Sequence, residues 1–232
     1  MERTGISAAL GASESVVGDA LADLENLRIV ERIWERDHTV WGDSPDEVGN
    51  RLGWLDVARE TLDDLLCLDR LADDVRGSGY EDALLLGMGG SSLAPEVLAS
   101  TFGSGTGFPT LRVLDSTHPD AVLDAEARVD PKAGLFVVST KSGSTVETMS
   151  LLKHFWARAA QTVGESEAGQ RFIAVTDPGS PLAGIAERRG FRAIFLNNPE
   201  IGGRYSALSY FGMVPATLIG ANVPRLLESA LA

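Results

Sequence analysis

Cysteine and basic residues are both scarce in this sequence. Cys67 is the only cysteine among 232 residues, so no internal disulfide can form, as is usual in a reducing compartment. Twenty Lys and Arg against 33 Asp and Glu give a formal charge of -13. That sign disfavours a surface that must neutralise nucleic-acid phosphates or an anionic membrane. We therefore predict no nucleic acid and no membrane as partner, although converging backbone N–H groups can still bind a small anion.

Long apolar runs and metal-binding clusters are also missing. The longest stretch without a charge, 205–224, contains glycines, prolines and an asparagine and is too polar for a membrane span. The start, Met1–Gly5, has no basic segment followed by an apolar run, so we expect the cytoplasm and not secretion. The histidines His38, His118 and His154 have no ligand-like neighbours. We expect neither a metal nor a cofactor.

The first third of the chain has a helical pattern. Apolar residues recur at helical spacing along 8–36, and a second helix is predicted over 45–76, bent near Gly53. No catalytic pattern occurs there, and its tryptophans, Trp54 among them, are assigned to packing. We interpret residues 1–76 as an N-terminal helical extension.

The pattern changes at residue 77, where short apolar runs begin to alternate with helical stretches. Such alternation is typical of a parallel sheet covered on both faces. We predict that 77–232 is a three-layer α/β domain with a five-stranded parallel sheet of order 2-1-3-4-5, flanked by helices. The five predicted strands are Ala83–Met88, Leu111–Asp115, Leu135–Ser139, Phe172–Thr176 and Ala193–Leu196.

A glycine-rich loop, Gly87–Ser92, follows the first predicted strand and precedes a helix. Its three glycines permit a tight turn and close backbone approach, and the helix start offers unpaired N–H groups to an anion. The spacing matches neither a dinucleotide-binding fingerprint nor a P-loop, so neither NAD nor ATP is favoured. The alternative is a plain glycine turn that closes a βα unit.

A hydroxyl-rich loop, Ser139–Thr145, follows the third strand and contains five hydroxyls, one ammonium and one glycine in seven residues. Ser144 and Glu147 have capping-box spacing, as do Thr117 and Asp120 before another helix. The alternative is that Ser144 caps the helix while the other hydroxyls are solvated. Strands 1 and 3 are neighbours in the predicted order, and ligands bind where their outgoing helices diverge. We therefore predict one phosphate site between the two loops.

A third motif, Gly202–Ser206, follows the fifth strand and places Arg204 at a helix start. Arginine keeps its charge, so it suits the stabilisation of an anion that develops on a substrate oxygen. A salt bridge is the alternative on so acidic a protein. None of the three motifs supplies a base for carbon chemistry.

The three motifs together resemble the glucose-6-phosphate isomerase family. They read GMGGSSLAP at 87–95, STKSGSTVET at 139–148 and GGRYSALSYFGMVPA at 202–216. The segment 32–55 is similar to the isomerase half of bacterial transaldolase and isomerase fusion proteins. The resemblance implies a sugar isomerase (SIS) domain. It also implies interconversion of glucose 6-phosphate and fructose 6-phosphate through a cis-enediol, without metal or nucleotide.

The resemblance also implies roles for particular residues. Arg204 would stabilise the enediolate, and Thr140 stands where the family usually has serine, with the hydroxyl retained. Lys141 would contribute its backbone and its charge to the phosphate. The remaining positions would contact the sugar or its phosphate through hydroxyl or backbone groups: Gly90, Ser91, Thr140, Ser142 and Thr145.

The family's glutamate base, ring-opening histidine and late lysine have no counterpart in this sequence. The resemblance places them on a second SIS domain and a C-terminal segment. The helical pattern also runs to Leu231–Ala232 without a stop signal. We expect a truncated chain that contacts a second SIS domain or forms a homodimer, and that isomerises poorly by itself. The alternatives are a non-catalytic phosphosugar sensor and an amino-sugar isomerase or synthase.

Overall fold

The computed structural model describes residues 8–232; residues 1–7, and with them the chain start considered above, lie outside the described part. The chain divides into two compact units after Asn50. The first contains α1 (Glu14–Asn26) and α2 (Ile29–Trp34). The region 8–36 is mostly helical as predicted, but it forms two helices, because Arg28 adopts a left-handed conformation with φ of 51° and interrupts the helical path.

The second unit, residues 51–232, begins with a short 3-10 turn and then α3 (Val57–Asp63) and α4 (Leu65–Ser78). The helix predicted from residue 45 therefore starts later and breaks at Asp64, whose ψ of 27° is not helical. Apolar residues of α3 and α4 are buried in the core of this unit, Leu68 and Val75 among them. The boundary between an N-terminal helical extension, 1–76, and an α/β domain, 77–232, stays a prediction.

Five parallel strands form the sheet, and the predicted order β2-β1-β3-β4-β5 is confirmed. They are β1 (Asp82–Gly87), β2 (Thr110–Leu114), β3 (Gly134–Ser139), β4 (Phe172–Thr176) and β5 (Ala193–Leu196). The later helices are α5 (Leu93–Phe102), α6 (Pro119–Arg128), α7 (Val146–Val163), α8 (Glu165–Ala168), α9 (Pro181–Arg188), α10 (Tyr210–Leu218) and α11 (Val223–Leu231). Within residues 8–232, none of the helices has the length and apolarity needed to cross a bilayer.

Alternate residues of each strand face opposite sides of the sheet, so two cores form. On one face, Leu85 and Val137 pack with α4, α10 and α11. On the other face, Phe136 contacts Phe155 and Phe172, with ring centroids 5.5 and 4.9 Å apart. Because all five strands are parallel, their carboxyl ends lie at one edge of the sheet.

The starts of α6, α7 and α9 show which of several candidate residues takes the N-cap position of each helix. Ser180 caps α9 by accepting a 3.2 Å bond from the Ala183 N–H, with Pro181 next to it. The capping boxes predicted at Ser144 and Thr117 are wrong. In α6 the N-cap is His118, because the residue before a proline is held extended. In α7 the N-cap position falls one residue later than Ser144.

Candidate functional site

A cavity of about 420 Å³ is lined by residues that follow β1, β3, β4 and β5 at the carboxyl edge of the sheet. Both predicted anion loops contribute to it, and Gly203 and Ser206 come from the third motif. The structure brings together six of the seven predicted site residues: Gly90, Ser91, Thr140, Lys141, Ser142 and Thr145. Residues far apart in the sequence thus converge on one space.

The glycine-rich loop is tied closely to the third motif. A Cβ atom added at Gly90 would lie 2.7 Å from the carbonyl carbon of Gly203, and closer still to its oxygen. The Ser206 hydroxyl donates to the same Gly203 carbonyl at 2.8 Å. Any side chain at position 90 would push the two cavity walls apart. Glycine is therefore needed there for this contact as well as for the turn.

The hydroxyl-rich loop is braced internally and at the start of α7. The Thr140 and Thr145 hydroxyls lie 3.0 Å apart, and the Ser144 hydroxyl donates to the Ser142 hydroxyl at 3.1 Å. Thr145 occupies the N-cap position of α7 without a side-chain capping bond. A helix start carries partial positive charge and N–H donors, which favour an anion. The hydroxyls and the helix start together suit a phosphate group.

Lys141 lies in the cavity wall and is held by neighbours on adjacent strand exits. The Lys141 ammonium forms an ion pair with the Asp177 carboxylate and donates to the Pro199 carbonyl oxygen at 2.8 Å. Burial raises the pKa of the Asp177 carboxyl above its ordinary value, although the bond from Lys141 opposes that rise. The ammonium charge is thus compensated where it borders the cavity.

In the described structure, Ser139 Oγ, Thr148 Oγ1 and Asp177 Oδ1 are buried polar atoms of cavity-lining residues that have no hydrogen-bond partner. Both hydroxyl residues are fully buried. An unmatched buried polar group costs about 1–3 kcal/mol, so native cores contain few of them. Because these residues line the same cavity, their unmatched atoms are typical of a binding site, where a ligand can supply the missing partners.

Arg51 and Asp177 line the cavity but were not predicted from the sequence. Arg51 reaches it because Leu52 forms an antiparallel bridge with Ile201, and the Gly53 N–H donates to the Glu200 carbonyl at 3.0 Å. This pairing joins distant parts of the chain and has no local signal. Asp177 does have a signal in the sequence. It follows β4, which is next to β3 in the sheet, so the strand order that located the two loops also places Asp177 at the same edge.

Arg204 lies beside the cavity wall and is exposed. It is on a 3-10 turn, Gly203–Tyr205, and does not line the cavity. Its neighbour Tyr205 stacks on Trp54 with ring centroids 5.3 Å apart, so Trp54 packs at this turn. Of the seven predicted site residues, Arg204 is therefore the one that is not part of the cavity lining, although its neighbour Gly203 is.

Acid–base groups are few around the cavity. Of the described residues that line it, the ionisable ones are Arg51, Lys141 and Asp177, with no glutamate or histidine. Over residues 8–232, no group of three or more His, Cys, Asp or Glu is placed to hold a metal ion. The cavity offers donors for an anion but no glutamate or histidine for proton transfer.

The fold and this cavity define a three-layer α/β protein of the SIS type. The chain belongs to the phosphoglucose isomerase family, whose model matches residues 63–232. The family resemblance of the three motifs is thereby confirmed. A glucose-6-phosphate isomerase of Thermus thermophilus is 36% identical over 186 residues, covering 79% of this chain and 43% of that protein. That of Citrifermentans bemidjiense is 32% identical over 229 residues, covering 94% and 41%.

Solved structures agree with this assignment. The crystal structure of a hypothetical protein from Thermus thermophilus matches with a TM-score of 0.77 and 31% identity, over 92% of this chain and 49% of that one. A glucose-6-phosphate isomerase from Chlamydia trachomatis matches with a TM-score of 0.64 and 26% identity, over 87% and 37%. The chain thus spans less than half the length of each of these four proteins.

Proposed function

We propose that this chain is the phosphate-binding first SIS domain of a glucose-6-phosphate isomerase. One observation carries the proposal: two hydroxyl- and glycine-rich loops, separated by more than a complete βαβ unit, line a single cavity. The cavity volume is in the range of small-molecule sites. The ligand class is a sugar phosphate, whose anion suits the hydroxyls and the start of α7.

Turnover is proposed for the longer protein and not for this chain alone. Aldose–ketose isomerisation needs a base that moves a proton between adjacent carbons, and no glutamate or histidine lines the cavity among the described residues. We propose that a second SIS domain or a homodimer partner completes the site. Arg204, exposed beside the cavity, would then stabilise the enediolate from the rim. A transaldolase fusion and a cytoplasmic location stay predictions.

A second candidate function is a phosphosugar sensor without catalysis. It is favoured by the position of Arg204 outside the cavity lining and by the lack of a glutamate or histidine among the described lining residues. A sensor needs only a ligand-dependent conformation, whereas the isomerase needs the arginine near the reacting carbons. Kinetics of the longer protein separate the two functions.

Binding is tested by ligand-dependent stability of the chain. We expect 6-phosphogluconate at about 100 times its Kd to raise the free energy of unfolding by roughly 2.7 kcal/mol in urea denaturation. Replacement of Ser142 and Thr145 by alanine should abolish the increase, because both hydroxyls line the cavity. The matched control is Ser150→Ala on α7, whose hydroxyl bonds to the Val146 carbonyl. No shift at millimolar ligand contradicts the proposed site.

The role of Arg204 is tested in the full-length isomerase. We expect Arg204→Ala to lower kcat more than it raises KM, since the enediolate charge exists only after proton transfer has begun. Arg204→Lys should restore little, because a lysine does not reproduce the planar guanidinium. An increase in KM with unchanged kcat would contradict this role and favour simple substrate binding.

A further inference from the structure

The partly buried Lys141 side chain is held by bonds from its ammonium group. An ammonium has three N–H donors. In the described structure, one bonds to Asp177 and one to the Pro199 carbonyl at 2.8 Å. These three residues follow three adjacent strands, β3, β4 and β5. Two of the three donors are therefore used at the strand exits, and the third has no partner in the described structure, where Lys141 lines the cavity.

The backbone around this pair is also fixed. The Asp177 N–H donates to the Lys141 carbonyl at 3.2 Å, and the Thr176 hydroxyl approaches the same oxygen at 3.4 Å. The Thr140 N–H donates to the Val175 carbonyl at 3.0 Å. The exits of β3 and β4 thus hold each other in register, so the Asp177 carboxylate has a defined position relative to the lysine.

We infer that Asp177 is a positioning residue that holds the Lys141 ammonium so that its remaining N–H donor is directed to the phosphate of a bound phosphosugar. This rests on the proposed function, because it assigns a role within the same site. A lysine side chain has many rotamers, and a free one loses that freedom when it binds an anion. A lysine already held by Asp177 and Pro199 loses less, so the anion binds more tightly.

Asp177 also has an opposite effect on the same ligand. Its carboxylate is negative and repels an anion in the cavity, so its removal could strengthen binding by charge alone. The two effects are separable, since asparagine retains an oxygen acceptor for the ammonium but no charge. Positioning predicts that asparagine preserves binding and that alanine weakens it. Charge repulsion alone predicts that both substitutions strengthen binding.

The test measures the Kd of 6-phosphogluconate by calorimetry at fixed pH and ionic strength, for the chain with Asp177 replaced by asparagine, alanine or serine. We expect about a tenfold higher Kd for Asp177→Ala and Asp177→Ser, and a value within about threefold of the unmodified chain for Asp177→Asn. Serine keeps the position polar but is too short to hold the ammonium, so it replaces alanine if that variant does not fold.

The same substitutions in a Lys141→Met background show whether Asp177 acts through the lysine. We expect no weakening by Asp177→Ala there, because the ammonium is absent. Equal weakening in both backgrounds, or tighter binding by Asp177→Ala in the unmodified background, overturns the inference. If the unmodified chain itself does not bind 6-phosphogluconate, the proposed function fails. If it binds and the alanine and serine variants bind equally well, only the positioning role fails.

Discussion

The close approach of Gly90 and Gly203 permits a sharp test of how the cavity is built. A Cβ at Gly90 would lie 2.7 Å from the Gly203 carbonyl carbon and 3.2 Å from its Cα. These are backbone atoms, which cannot rotate away as a flexible side chain would, so Gly90→Ala must separate the two loops. Overpacking of this kind costs about 1–3 kcal/mol.

The expected readouts of Gly90→Ala are stability and binding. With a urea dependence of about 2 kcal/mol per molar, the unfolding midpoint should fall by about 0.5–1.5 M. Binding of 6-phosphogluconate should weaken as well, because the displaced loop contains Ser91, which lines the cavity. Calorimetry on the folded variant measures that loss.

The control for Gly90→Ala is Gly203→Ala, on the other side of the same contact. A Cβ there meets no atom within 4 Å. We expect its stability to stay within about 0.5 kcal/mol of the unmodified chain. Equal midpoints for the two variants, or an unchanged midpoint for Gly90→Ala, would refute the view that the loops are locked by a glycine contact.

Two further predictions concern the core and the single thiol. Phe136→Ala should lower the free energy of unfolding by about 3–5 kcal/mol, because the fully buried ring packs on Phe172. The control is Phe102→Ala, at an exposed position, which should lower it much less. Similar losses for the two variants in urea denaturation would contradict the packing argument. Burial raises the pKa of the Cys67 thiol, while a contact with the Tyr210 hydroxyl opposes the rise. Near pH 8, a thiol reagent should therefore label Cys67 more slowly than it labels free cysteine, and the labelling rate should keep increasing above pH 9. A labelling rate that levels off below pH 8 contradicts the raised pKa.

The order of elements and the two anion loops were predictable from local patterns. A parallel strand covered on both faces is a short apolar run, and glycine or hydroxyl clusters mark its exit, so Gly87–Ser92 and Ser139–Thr145 were visible as loops. The doubly wound order then placed both at the switch point. Where two local signals competed, prediction failed. Capping-box spacing pointed to Ser144, but its hydroxyl bonds to Ser142 and α7 begins one residue later.

Local patterns along the chain were enough to predict the family, the sheet order and six cavity residues, because periodicity, turn chemistry and motif spacing are properties of neighbouring residues. The distant groups that complete the cavity became known from the folded chain alone. Arg51 arrives through the pairing of Leu52 with Ile201, Asp177 holds Lys141, and Arg204 stays outside the lining. Strand order points to the place of Asp177, but its bond to Lys141 and the positions of Arg51 and Arg204 depend on tertiary packing, which no local pattern encodes.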